Sequence, residues 1–124
     1  MEEGIGFDKA HAVHINAKNN LMFFDNGVAR KKSRSMIFHL DEKQKKATSV
    51  LNTPLPGDFF TERMGSSYLL CDTTLLNTCS KRNAVVLTNL QGRFLWALKT
   101  TFSPYRTEFI PADRVTPFII EQSD

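Results

Sequence analysis

The chain has 124 residues, enough for one domain and one modest core, which excludes a multidomain reading. Sixteen Lys and Arg against thirteen Asp and Glu leave a formal charge of +3, far short of the dense basic stripe of a dedicated nucleic-acid binder. With 41% apolar residues and ten Phe a hydrophobic core is available, which excludes global disorder, yet no apolar run approaches the roughly 20 residues of a spanning helix. Neither nucleic acid nor a membrane is therefore an expected partner. The opening Met1-Glu2-Glu3-Gly4-Ile5-Gly6 is acidic and has no apolar h-region, so no secretory signal is expected in these residues and they assign no compartment.

Short alternating or apolar runs separated by turn residues follow one another along the chain, and no long stretch keeps a 3.6-residue period, which predicts an all-β fold. Ala12 to Asn16 and Leu21 to Phe24, joined by a turn at Lys18-Asn19-Asn20, read as a hairpin, and the Asp25-Asn26-Gly27 turn follows it. After a polar loop from Ala29 to Ser33, the run Arg34 to Leu40 places Met36, Phe38 and Leu40 on one face, and Asp41-Glu42-Lys43 turns it into Ala47 to Leu51. The strongest breaker is Asn52-Thr53-Pro54-Leu55-Pro56-Gly57-Asp58, because two prolines with Gly and Asp do not fit inside a central strand.

Beyond that breaker the rhythm repeats, with Ser66 to Cys71, a turn at Asp72-Thr73, Thr74 to Cys79, Ala84 to Thr88, a turn at Asn89 to Gly92, and Arg93 to Lys99. Two sets of four strands at a spacing of about 40 to 50 residues match the size of propeller blades. The expected organisation is one partial propeller unit over 1–124, with a first antiparallel four-stranded blade at 10–52 and a second at 59–100. Residues 104–124 have two readings: closing strands at Tyr105 to Pro111 and Val115 to Ile120, each limited by a proline, or a docked tail.

Cys71 and Cys79 are too few for a disulfide scaffold and lack metal-ligand spacing, so no metal is expected. They read as two buried thiols, with a cross-strand disulfide as the open alternative.

The stretch from His11 to Glu42 carries, in order, a histidine leading a strand, Phe24-Asp25-Asn26-Gly27, Arg30, Ser33-Arg34 and Leu40-Asp41-Glu42. This succession resembles the arylsulfate sulfotransferases, which move a sulfuryl group from an aryl sulfate to a phenol without a nucleotide sulfate donor. Met64-Gly65-Ser66, Gly92-Arg93-Phe94-Leu95-Trp96 and Tyr105-Arg106 resemble later parts of the same family. The family fold is a six-bladed propeller, and the resemblance covers its carboxy-terminal part. It implies aryl sulfate and phenolic small molecules as partners, no cofactor, and often a periplasmic location.

The resemblance implies roles residue by residue. Sulfuryl transfer gathers charge on peripheral oxygens and on the leaving phenolate, so the site needs positive charge and proton donors. Arg30 stands where a sulfate contact is expected, and its planar guanidinium suits that geometry better than lysine would. His11 matches an active-site histidine that would donate to the phenolic oxygen or the sulfuryl group. Arg106 and Tyr68 are candidate substrate contacts, with a structural ion pair the other reading of Arg106.

The chain departs from the family pattern after Met64-Gly65-Ser66, where Tyr68 occupies the position of the histidine that accepts the sulfuryl group. The only histidines are His11, His14 and His39, so none follows residue 39. A phenol with a pKa near 10 is a poor replacement nucleophile at neutral pH. His14 and His39 read as structural residues within strand patterns, and the Arg30-Lys31-Lys32-Ser33-Arg34 run reads as a solvated loop.

Two function classes follow. One is a fragment or split subunit of an arylsulfotransferase-like enzyme, active when complete. The other is a non-catalytic propeller module that binds anions or proteins. Two blades leave sheet faces open, so further blades or further copies of the chain are the expected complement.

Overall fold

A computed structural model describes residues 6–108 and 110. Among them lie eight strands: β1 (Ala10–Ile15), β2 (Leu21–Asp25), β3 (Arg34–Asp41), β4 (Lys46–Pro54), β5 (Ser66–Leu70), β6 (Thr74–Cys79), β7 (Ala84–Asn89) and β8 (Phe94–Lys99). They build two four-stranded antiparallel sheets in plain chain order, β1-β2-β3-β4 and β5-β6-β7-β8, and neither closes on itself. The all-β reading and the grouping by fours are both seen. No helix among the described residues is long and apolar enough to cross a membrane.

Register explains which residues meet. Met22 pairs with Ile37 and Phe24 with Ser35, so these four share one face of the first sheet. That face lies on the second sheet: Phe24 joins Cys79, Ala84 and Val86 in one cluster, and Met22 and Ile37 join Leu75 in another. Burying a side chain such as Phe24 contributes about 1.5–3 kcal/mol. The opposite face of the first sheet carries Phe23, Met36, Phe38 and Ala47, with the Phe23 and Phe38 rings stacked at a centroid distance of 5.9 Å.

A polar knot sits inside this apolar interface. Ser35 of β3, Ser67 of β5 and Asn77 of β6 are all buried, with Ser35 Oγ 2.7 Å from Ser67 Oγ and donating to Asn77 Oδ1 at 2.9 Å. Buried polar groups cost stability unless they are partnered, so a sliding of one sheet over the other would strand these three. Close approach of the sheets also requires Gly65, whose φ is +106° and whose added Cβ would stand 2.6 Å from Phe24 Cε1.

Three expectations change. The breaker does not end the first sheet at residue 52, because β4 runs to Pro54, paired with Arg34. Proline is accommodated since β4 is an outer strand of its sheet, and the missing N–H takes no ladder bond away. The two thiols are free and differ: Cys79 is buried, whereas Cys71 is exposed in the β5–β6 turn, where Cys71 and Asp72 have φ of 48° and 59°. Positive φ at both makes Cys71 and Asp72 the central pair of a turn closed by the Thr73 amide on the Leu70 carbonyl at 3.1 Å, so the turn falls one residue earlier than expected. Tyr105 to Glu108 and Ile110 form no strand. The Val115 to Ile120 expectation lies outside the described residues.

Candidate functional site

A cation-rich arrangement grows out of the β2–β3 connection. β2 ends on Asp25 and β3 begins on Arg34, and the two are cross-strand partners. Between them the chain folds back on itself, with the Lys32 amide donating to the Gly27 carbonyl at 3.2 Å. Gly27 has φ +62°, and a Cβ there would lie 2.0 Å from the Lys32 carbonyl oxygen, so only glycine allows the loop to close.

This closure wraps donors around one fully buried carboxylate. Asp25 Oδ1 accepts the Asp8 amide at 2.7 Å and the Gly27 amide at 3.2 Å. Its Oδ2 accepts Arg30 Nη2 at 2.7 Å and Arg34 Nε at 2.8 Å. Arg34 reaches further, donating from Nη1 to Asn52 Oδ1 at 3.2 Å and from Nη2 to the Gly6 carbonyl. Ion pairs satisfied this fully on a buried carboxylate hold the guanidinium planes in fixed orientations.

Beside this pair the surface forms a pocket of about 240 Å³ lined by Arg30, Lys32, Arg34, Asn52 and Pro54. Three cationic side chains line the pocket, two of them paired with Asp25, while the Asp8 carboxylate accepts the Ala29 amide at 2.9 Å in the same loop. Guanidinium forks, an ammonium and an amide are the donor types that recognise a tetrahedral oxyanion such as a sulfate or phosphate group.

The four residues singled out from the sequence fall in different places. Arg30 lines the basic pocket. His11 sits on β1 opposite Phe24, partly buried, and is not among the pocket's lining residues. Tyr68 lines a separate depression of about 370 Å³ with Leu69, Leu70 and Glu108, and its ring centroid is 4.8 Å from that of His14. Arg106 is exposed in the segment after β8. Arg30 is thus the only one of the four at the pocket. The Arg30 to Arg34 run, read as a solvated loop, is exposed from Arg30 to Lys32 and supplies three of the five lining residues.

The other two histidines have structural contacts. His14 Nδ1 lies 2.8 Å from the Ala12 carbonyl, so it carries the proton in that hydrogen bond, and His39 Nδ1 lies 3.3 Å from Asn20 Oδ1. Among the described residues no group of three or more His, Cys, Asp or Glu could hold a metal ion. The residues missed by sequence reasoning are Asp25, Lys32, Arg34, Asn52 and Pro54. Asp25 and Arg34 stood in motifs that carried the resemblance but were given no role of their own, and their pairing needed the β2–β3 register.

No protein-family model, no curated protein and no solved structure matches the chain.

Proposed function

We propose that this chain is an anion-binding β-sheet module that takes the sulfate end of an aryl sulfate in the pocket formed by Arg30, Lys32, Arg34 and Asn52. The observation that carries the reading is the presence of three cationic side chains on one pocket, two of them oriented by the same buried carboxylate. A ligand with peripheral negative oxygens recovers charge-assisted hydrogen bonds there without reorganising the guanidiniums. The resemblance to arylsulfate sulfotransferases from His11 to Glu42 supplies the choice of sulfate ester over other oxyanions.

Part of the same proposal is that the two sheets are neighbouring blades of a propeller. Equal strand number, plain meander order and face-to-face packing support it. The transferase reading asks for more: the ester S–O bond breaks, a new S–O bond forms to the phenol, and the phenol's proton passes to the leaving phenolate. That needs an acceptor and a proton carrier at the sulfuryl group. Binding is the function favoured for this chain alone, since His11, Tyr68 and Arg106 do not line the pocket that Arg30 lines.

Titrating the chain with 4-nitrophenyl sulfate by calorimetry tests the binding reading. Saturable binding that weakens as salt rises, and that a Lys32→Ala exchange reduces, is the expected result. Absence of saturable binding at low ionic strength refutes it. Following 4-nitrophenolate release with phenol present tests transfer separately.

A further inference from the structure

We infer, resting on the sulfate-ester reading of the basic pocket, that Asp8 is a positioning residue for that site: its carboxylate fixes the loop tip from which Arg30 projects. A carboxylate in the loop of an anion site weakens binding by repulsion unless it contributes something else. Neutralising the pocket is not that contribution, since Asp8 forms no ion pair with Arg30, Lys32, Arg34 or any other cation among the described residues.

The tip shows what Asp8 does instead. The Lys31 amide donates to the Val28 carbonyl at 3.2 Å, which makes Ala29 and Arg30 the central residues of a turn. A turn of this kind holds no acceptor for the N–H of its first central residue. Asp8 Oδ2 supplies one, taking the Ala29 amide at 2.9 Å. The Asp8 backbone is seated separately at the base of the loop: its amide donates to Asp25 Oδ1 at 2.7 Å, and its carbonyl accepts the Gly27 amide at 3.1 Å. The acceptor therefore comes from a residue that is itself pinned.

Arg30 is the guanidinium whose aim matters. Each of the three guanidinium nitrogens of Arg34 is engaged, on Asp25, Asn52 and the Gly6 carbonyl. Arg30 engages only Nη2, on Asp25, so its Nε and Nη1 are without a partner among the described residues and can serve a ligand. Ala29 and Arg30 are exposed, so no packing holds the tip in place. Asp25 secures the far end of the Arg30 side chain, and Asp8 secures the backbone at its near end. Donors ordered before the ligand arrives bind it more tightly, because the ordering cost is already met.

Titrating 4-nitrophenyl sulfate into the whole chain and two variants reads this role. Asp8→Ala removes the carboxylate and keeps both backbone bonds; it should weaken binding about fivefold, the effect of one net hydrogen bond, even though it takes a negative charge away. Asp8→Asn takes away the same charge but keeps an oxygen for the Ala29 amide, and should bind about twofold more tightly than wild type. Both should melt within about 4 °C of wild type, since the tip is exposed. In the wild-type chain, ligand at about ten times its dissociation constant should slow exchange of the Ala29 amide about tenfold, because ligand and tip anchorage reinforce each other. An Asp8→Ala chain that binds as tightly as wild type overturns the assignment, as does an Asp8→Asn chain that binds as weakly as Asp8→Ala. So does an Asp8→Ala melting temperature lowered by more than about 10 °C, the mark of a general structural role, or Ala29 exchange that ligand leaves unchanged. Those outcomes leave the sulfate-ester reading standing, whereas a wild-type chain that does not bind sinks both.

Discussion

Replacing Asp25 with Asn should lower the melting temperature by about 10–15 °C, from a loss of about 2–4 kcal/mol at roughly 4 °C per kcal/mol for a chain of this size. The loss is built from two contacts. Asn keeps an oxygen for the Asp8 and Gly27 amides, both of which address Oδ1 in the wild-type chain. Its amide nitrogen then faces Arg30 Nη2 and Arg34 Nε, which donate to Oδ2 at 2.7 and 2.8 Å, so donors meet donors.

Arg34 is the larger share, because its side chain is only 15% exposed and a sheltered charge-assisted bond contributes about 1.5–3 kcal/mol. Arg30, at 44% exposure, regains hydration and accounts for about 0.5–1 kcal/mol. Against a typical total stability of about 5–15 kcal/mol the change is large. Thermal melts followed by circular dichroism, with urea unfolding as the second measure, read it directly. Asp25→Ala should be worse, since it also strands the two backbone amides. An Asn variant within about 0.5 kcal/mol of wild type would refute the assignment of the buried carboxylate as the anchor of the loop.

Arg30→Ala should leave stability within about 1 kcal/mol of wild type, given its exposure, while weakening aryl sulfate binding about tenfold in calorimetry. Gly65→Ala should destabilise by about 2–4 kcal/mol in urea unfolding, because overpacking against Phe24 adds to backbone strain at φ +106°. In the native chain a thiol reagent should label Cys71 and spare Cys79 until denaturant is added. Burial pushes the Cys79 thiol up from 9.0 to about 12, with the Lys99 charge pulling the other way. Between pH 9.0 and about 12 the unfolded chain releases a proton that the folded chain keeps. Stability should therefore fall with rising pH by about 1.4 kcal/mol per unit in that window. Cys79→Ala should lack this contribution, and a wild-type minus variant difference that stays flat with pH would refute it.

The eight strands were legible because both sheets are meanders: each strand pairs with its chain neighbour, so local turn signals and period-two alternation carry nearly all of the information. Pro54 misled, since a proline forbidden in a central strand is harmless on an outer one, and sequence alone does not say that β4 is outer. Cys71 misled because its turn relies on two non-glycine residues with positive φ. Arg30 was legible as an anion contact only through resemblance. Asp25 was not, since its role depends on facing Arg34 across β2–β3 and on the Gly27 fold-back. The inter-sheet polar knot was equally hidden: Ser35, Ser67 and Asn77 lie far apart in the chain and meet only after the sheets dock.

The segment between β4 and β5 is not a tether of free length. Asn26 Nδ2 donates to the Thr61 and Met64 carbonyls at 2.8 and 2.7 Å, and the Thr61 amide donates back to Ser33 Oγ at 3.0 Å. The loop that presents Arg30 and Lys32 therefore also grips the strand connector by its peptide groups. One residue inserted between Thr61 and Met64 would break that grip, so this four-residue stretch acts together with the contacts between the sheets in setting the angle between the halves.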